Sequence, residues 1–453
     1  MIFVAIIFSI ITGYVFLQSF ASSLNIYIKV GLSFIIGIGL QTFLMFIFSL
    51  VGFPFSGLSA LVASIVLVAV SAVWGMKNDK NFYKPQILSS DKIQFTFAWF
   101  LLSGLIIYLL YAIVSKALYW PIAEYDSMTG YDLMGKMIAK EGTFKPSIFS
   151  YPYQRSYDVA RFIYPPLVAS GFGYFYTFGA DNAKIYIVCL FLGFVISFYG
   201  LLRNSLNDSF ALFFTLLAMI TPEMFSHVSL GLTNLPNAIY TSLSFIAIFY
   251  YFQSRDNSYF IISLVLMALS MWSRSDSIVF VAGYGLLFLI DFFKSKQWLK
   301  PGIYLFVCFS VFMIWTLFVK INIGANSSEF FVKKLFWDGD KFTEIFSKAF
   351  GMMLGSGTLY GLTFYVFVVF LALNIVDVVL AVNKIVVFAI TTWVLYTLLY
   401  YQIDYSYAGS IDAYLNASYK RGLFNFVPLA WFFVAVNPLS AKWLQKLEAW
   451  YKK

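Results

Sequence analysis

The chain has 453 residues, 61% of them hydrophobic and only 11% charged, with a mean hydropathy of +0.82, far from the roughly 45–50% apolar and 25% charged content of soluble domains. That balance excludes a soluble globular enzyme and makes lipid the solvent. The formal net charge of +9 would suggest nucleic acid in a soluble chain, but here Lys and Arg cluster in short loops between apolar runs, the pattern that orients membrane spans.

A helix needs about 20 apolar residues to cross the hydrocarbon. In chain order that length predicts spans at 2–20, 28–51, 56–75 and 94–115, then, after a long polar stretch, at 184–202, 209–220, 237–253, 258–272, 277–293, 301–320, 350–373, 385–402 and 422–436. The expected fold is an all-α integral membrane protein with about 13 transmembrane helices (about 11–14). The first run has no basic residue before it and is read as a retained span, not a cleaved signal peptide. The runs 209–220 and 258–272 are short for a bilayer and are expected either to tilt or to stop part-way. The organisation is one catalytic unit: N-terminal helices (1–115), a long loop (116–183), central helices (184–320), a second loop (321–349), C-terminal helices (350–440) and a tail (441–453).

Lys77, Lys80, Lys84 and Lys92, then Arg203, Arg255, Lys294, Lys296 and Lys300, and finally Lys442, Lys446, Lys452 and Lys453 all fall on one side of these spans. By the positive-inside rule that side is cytoplasmic, and the two long loops lie on the opposite, non-cytoplasmic face. The segment 162–178 is apolar but carries a Pro pair and two glycines; it is read as a non-spanning element, because counting it as a span would invert every later loop. Cys189 and Cys308 lie inside apolar runs, where a thiol is a small buried hydrophobe and a disulfide framework is not expected.

No charge sits in the middle third of a span, so the chemistry belongs at the ends. On the non-cytoplasmic side stand Glu124, Asp126, Asp132, Lys136 and Tyr164; Glu223, His227 and Asn234; Arg274 and Asp276; and Asp404, Asp412, Tyr419, Lys420 and Arg421. In 120–142 the residues Met128, Tyr131, Met134, Met137 and Ile138 recur at helical spacing, which predicts an amphipathic juxtamembrane helix. Gly142 supplies its stop, and Asp126 or Ser127 is placed to cap its start. The functional alternative is that Glu124 and Asp126 include a general base that takes a proton from an acceptor hydroxyl. Asp132 and Asp158 are read as solvated surface charges. His227, the only histidine, is either a hydrogen-bonding loop residue or a ligand, and Asn234 precedes Leu235-Pro236 as a helix entry. Arg274 and Asp276 form either an incidental ion pair or part of a cavity lining. Tyr419-Lys420-Arg421 goes against the positive-inside trend, which points to an anion partner, since the guanidinium fork matches phosphate; the alternative is a snorkelling membrane anchor.

These residues resemble the polytopic C-type glycosyltransferases (GT-C fold), similar to the protein mannosyltransferase and lipid A aminoarabinose transferase type. Asp126-Ser127-Met128-Thr129 with Lys136 resembles the acidic motif and juxtamembrane helix of the family's first large loop, and Tyr164-Pro165-Pro166-Leu167 resembles its Tyr-Pro-Pro segment. The stretch from Pro222 through His227 to Pro236, the run Ser273-Arg274-Ser275-Asp276, and Tyr419-Lys420-Arg421 followed by Pro428 resemble later motifs in the same order. Asn234 departs from the pattern, standing where many members carry Asp. The resemblance implies inverting transfer of a sugar from a polyprenyl-phosphate donor to a hydroxyl of a glycan, lipid or protein on the non-cytoplasmic face of a membrane, of bacterial cytoplasmic (inner) membrane type. Asp126 with Glu124 would be catalytic; Arg421, Lys420 and Arg274 would bind the donor phosphate; Lys136, Tyr164, His227, Asn234, Asp276 and Tyr419 would bind substrate. Some members use a divalent cation (Mg or Mn) and others do not, and the residues leave both open. A transporter or flippase is the competing expectation, motivated by the number of apolar runs alone; the lack of inverted repeats and of charges within spans counts against it.

Overall fold

The computed structural model describes residues 1–78, 93, 95–147, 164–323, 337–355, 357–375, 383–403, 405, 410–440, 442–443 and 446, the side chain of Lys294 excepted. Lys80, Lys84, Lys92, Asp158, Phe162, Asp404, Lys452 and Lys453 lie outside that range. The described elements are helical: α1 (Ile2–Phe20), α2 (Ile26–Leu50), α3 (Gly57–Asn78), α4 (Phe97–Tyr119), α5 (Asp132–Glu141), α6 (Leu167–Thr177), α7 (Ile185–Leu202), α8 (Asp208–Met219), α9 (Pro222–Ser226), α10 (Asn234–Ser254), α11 (Asn257–Ser273), α12 (Ile278–Ser295), α13 (Leu299–Asn322), α14 (Gly339–Leu354), α15 (Thr363–Leu373), α16 (Lys384–Tyr401) and α17 (Val427–Val436).

Among the described residues nine helices are long and apolar enough to cross a membrane: α1, α2, α3, α4, α7, α10, α12, α13 and α16. A tenth is gained if α8 and the segment Pro222–Ser229, which meet at a bend of 75°, count as one broken span. The expected thirteen are not reached by this measure, because three of the apolar runs fold shorter than the bilayer requires. α11 has 17 residues, α15 has 11 and α17 has 10. The run 350–373 is split, since α14 ends at Leu354 and Gly361 takes a left-handed φ of 55° before α15 begins. α14 itself is an amphipathic helix that buries Ile345 and Ala349, in and beyond the expected second loop.

Lipid exposure explains the outward faces. In α4, Phe97, Leu101, Ile107 and Tyr111 are each more than 60% exposed, and α13 likewise turns Phe306 outward; apolar faces of this extent have no place in water. The inward contacts are polar at intervals, as expected where the hydrophobic effect cannot drive helix association. Gln41 of α2 accepts from Ser9 of α1 at 2.7 Å and donates to Thr12 at 3.1 Å and to Ser64 of α3 at 2.5 Å.

The bundle has two chemically distinct ends. At one, Asn25 donates to the Gly200 carbonyl, Thr96 meets Ser209, Arg203 pairs with Asp208, and Asp291 receives both guanidinium nitrogens of Arg255 at 2.7 and 2.8 Å, with Lys384 at 3.5 Å. The other end gathers residues 120–131, 223–234, 274–276 and 418–425. α6 has 11 residues, too few to cross, and lies buried against α5 and α1, with the Tyr174 hydroxyl donating to the Ala5 carbonyl.

Candidate functional site

The acidic segment is held by residues beyond it. Asn182 donates to the carbonyls of Ala117, Leu118 and Trp120 at the end of α4. Two residues on, the fully buried Lys184 donates to the carbonyls of Pro121 at 3.2 Å and Ser229 at 3.1 Å. Burial, with the Lys116 charge nearby, brings the Lys184 ammonium down to about 8. Ser127 adds a third tie by donating to the Gly231 carbonyl at 3.0 Å. The loop after α4 and the loop after α9 are thereby laced together.

Asp126 does not cap the helix. Its backbone is already helical (φ −61°, ψ −31°), whereas a cap needs extended backbone, and neither its side chain nor that of Ser127 caps the first turn. The chain instead passes through a wide π-turn, Ser127–Tyr131, before α5, which ends as expected at Gly142 with φ 69°. Released from capping, the Asp126 carboxylate accepts from Arg421 Nη1 at 2.8 Å. Glu124 is partly exposed, and among the described residues its side chain has no bonded partner.

The basic segment is built the same way. A second π-turn, Leu415–Tyr419, leads directly into Lys420 and Arg421; π-turns are rare and concentrate at functional sites. Tyr419, expected to touch substrate, is instead fully buried, its hydroxyl 2.9 Å from Thr397 and its ring against Tyr396 and Tyr400. Its side chain is packed against α16 and leaves no surface open to a ligand. The Tyr360 hydroxyl donates to the Lys420 carbonyl. From this platform the adjacent basic side chains diverge, Arg421 to Asp126 and Lys420 to Glu223 at 3.5 Å.

Glu223 opens α9, behind Pro222. Its carbonyl lies 2.7 Å from His227 Nδ1, and its carboxylate lies 3.9 Å from the same nitrogen. Burial, reinforced by Arg421 and Lys420, holds His227 down at about 3, so the ring is neutral. With Nδ1 donating to that carbonyl, Nε2 is an acceptor, buried and, among the described residues, without a partner, beside the Phe424 ring.

Arg274 is buried and committed. Nε and Nη2 grip Asp276 at 2.8–3.1 Å, Nη1 donates to Thr233 at 2.9 Å, and the Tyr164 ring lies 5.5 Å from the guanidinium. Asn234 is the first residue of α10 and Thr233 precedes it as the N-cap, one position earlier than expected and with no side-chain cap. One turn on, Asn237 accepts from Ser270 and Ser277 and meets Asn425, which donates to the Gly422 carbonyl. This network joins the Arg274 corner to the residue after Arg421. Asp132 is not a solvated surface charge: it is 3% exposed and takes Lys136 at 2.7 Å and the Tyr176 hydroxyl. Lys136, with its side chain half exposed, is thus occupied on α5.

Glu223 as a partner of Lys420, and Lys184 and Asn182 as anchors, were not legible as site residues. Lys184 did carry the signal used for Lys420 and Arg421, a basic residue at the mouth of an apolar run on the face opposite the basic loops. Among the described residues no group of three His, Cys, Asp or Glu gathers to hold a metal ion.

Residues 165–317, from the turn before α6 into α13, match the family model described as dolichyl-phosphate-mannose-protein mannosyltransferase. No significant match is found among curated proteins or among solved structures. The matched segment carries Glu223, His227, Asn234, Arg274 and Asp276, while Asp126 and the basic pair lie outside it. Over that segment, about a third of its length, this multi-pass membrane chain is similar to the dolichyl-phosphate-mannose-protein mannosyltransferase family.

Proposed function

We propose that this chain is a membrane glycosyltransferase that moves a sugar from a polyprenyl-phosphate donor to an acceptor hydroxyl, with inversion, on the non-cytoplasmic face. The observation that carries the reading is the 2.8 Å contact between Arg421 and Asp126, residues 295 positions apart. It brings a carboxylate suited to be a base and a cation suited to hold phosphate to one point at one end of the bundle. The opposite end bears Arg203, Arg255 and Lys300 and is the cytoplasmic one by the positive-inside rule.

Asp126 takes the proton of the acceptor hydroxyl, the hydroxyl oxygen attacks the anomeric carbon, and the bond to the lipid phosphate breaks with its electron pair. The leaving phosphate is an anion, so it needs cations in place before it departs more than it needs a proton. Arg421 and Lys420 supply them. Glu124 is the second carboxylate available as base. Tyr164, His227 and Asn234 line the substrate side, with neutral His227 offering Nε2 as an acceptor to a sugar hydroxyl; Arg274, Asp276 and Lys136 shape that side through their own pairs, and Tyr419 supports the basic pair from below. The description of the family model that residues 165–317 match names mannose, which makes a polyprenyl-phosphate-linked mannose the first donor to try. In membranes supplied with that donor, Asp126→Asn is expected to lose transfer while expression persists; wild-type turnover would end the assignment.

A further inference from the structure

The two carboxylates facing the basic pair are not equivalent. Arg421 meets Asp126 at 2.8 Å, whereas the Lys420 ammonium stands 3.5 Å from Glu223, nearer to an exchangeable ion pair than to a fixed hydrogen bond. Lys420 is fixed at its backbone, where its carbonyl accepts from Tyr360, while its side chain is 31% exposed. Glu223 is likewise fixed at its backbone, where its carbonyl holds the His227 ring, and only its carboxylate engages the lysine. The contact can therefore open without moving either segment. α9 does not depend on this pair for its place: it is held by its own backbone bonds and by the ties from Lys184 and Ser127 to the loop that follows it.

We propose that Glu223 is a positioning residue of the donor-phosphate site, a counter-carboxylate that holds Lys420 ready and gives it up to the lipid phosphate. The inference rests on the lipid-phosphate reading above. The donor's phosphodiester carries one charge on two free oxygens, and the departing lipid monophosphate carries more charge and a third oxygen; adjacent Lys and Arg side chains can share either. In the empty site Glu223 keeps the ammonium from other anions and aims it along the seam between the two laced loops. When phosphate enters, Glu223 is the group displaced, so it lowers affinity for donor and for the departing lipid phosphate alike.

The test is equilibrium binding of a short-chain polyprenyl monophosphate to the full chain in nanodiscs. Glu223→Gln is expected to bind it about 3- to 10-fold tighter, the range a partly exposed ion pair can contribute, and KM for donor should fall by the same factor. In a Lys420→Ala background the same substitution should change nothing. Glu223→Ala, read by the same titration, covers a folding failure of the first variant. Unchanged or weaker binding in the folded variant overturns the inference, as does tightening that persists without Lys420. If Lys420→Ala and Arg421→Ala leave the lipid phosphate bound as in wild type, it is the phosphate reading itself that falls.

Discussion

Replacing Asp126 by Asn separates chemistry from architecture, because the two contributions differ by orders of magnitude. The carboxylate is about one-third exposed and its partner Arg421 about one-quarter, at 2.8 Å. Such a pair lies between the exposed class, worth about 0.2–1 kcal/mol, and the buried class, whose disruption costs about 3–5 kcal/mol; about 1–2 kcal/mol is the reasonable cost here. Set against a stability of about 5–15 kcal/mol, that leaves the folded population almost intact. Loss of a general base, by contrast, lowers turnover by about 10²–10⁴-fold. The assay is initial-rate transfer from a lipid-linked donor in proteoliposomes, with thermal unfolding of the same preparation. Glu124→Gln is the companion: among the described residues its side chain has no bonded partner, so it should cost under about 0.5 kcal/mol. If Asp126 is the base, only Asp126→Asn loses turnover by the larger factor. A turnover for Asp126→Asn within tenfold of wild type refutes the assignment, and the full loss in Glu124→Gln alone moves the role to that residue.

Other outcomes follow from the same geometry. A Cβ at Gly422 would collide with the hydroxyl and with ring carbons Cζ and Cε1 of the fully buried Tyr396, so Gly422→Ala should destabilise by about 1–3 kcal/mol in thermal unfolding and misplace Arg421; Tyr396→Phe, which keeps both ring carbons, should not rescue it. Lys184→Met leaves the carbonyls of Pro121 and Ser229 without their donor, and thermal unfolding should register a loss of about 2–3 kcal/mol. His227 binds its proton only near pH 3 in the folded chain, below the unfolded value. Its contribution to stability is therefore complete above about 6.5 and declines as pH falls toward 3, a decline that unfolding curves should lack in His227→Gln. The pH profile of kcat/KM should for the same reason show no limb near 6.5.

Features governed by local spacing were readable from the residues alone. The period of Met134 and Ile138 and the stop at Gly142 located α5, and the clustering of Lys and Arg separated the two ends of the bundle. Asp126 was singled out as a carboxylate close to the membrane and suited to be a base, and Lys420 and Arg421 as a basic pair against the positive-inside trend. Which acid meets which base was not readable, since Asp126–Arg421 and Glu223–Lys420 join segments that no local pattern relates. Length alone also misread the run 350–373, because hydropathy is blind to the break around Gly361. Asp132 misled for a related reason: its burial depends on Tyr176 of α6, and nothing near it in the chain announces that partner.

The π-turns at Ser127–Tyr131 and Leu415–Tyr419 abut the two halves of the ion pair, one just after Asp126 and the other just before Lys420. Each holds about one residue more than an α-turn would, so removing a single residue there, Thr129 or Ala417, would let the chain close into regular α-helix. Everything on the near side would then swing by about 100° relative to the helix beyond. With Thr129 removed the buried face of α5 keeps its register and the Asp126 carboxylate points away from Arg421; with Ala417 removed Lys420 and Arg421 stay in register with α17 and it is the segment before the turn, Ile411–Tyr414, that swings. A one-residue deletion in the first turn is thus a means of parting Asp126 from Arg421 with both side chains left intact.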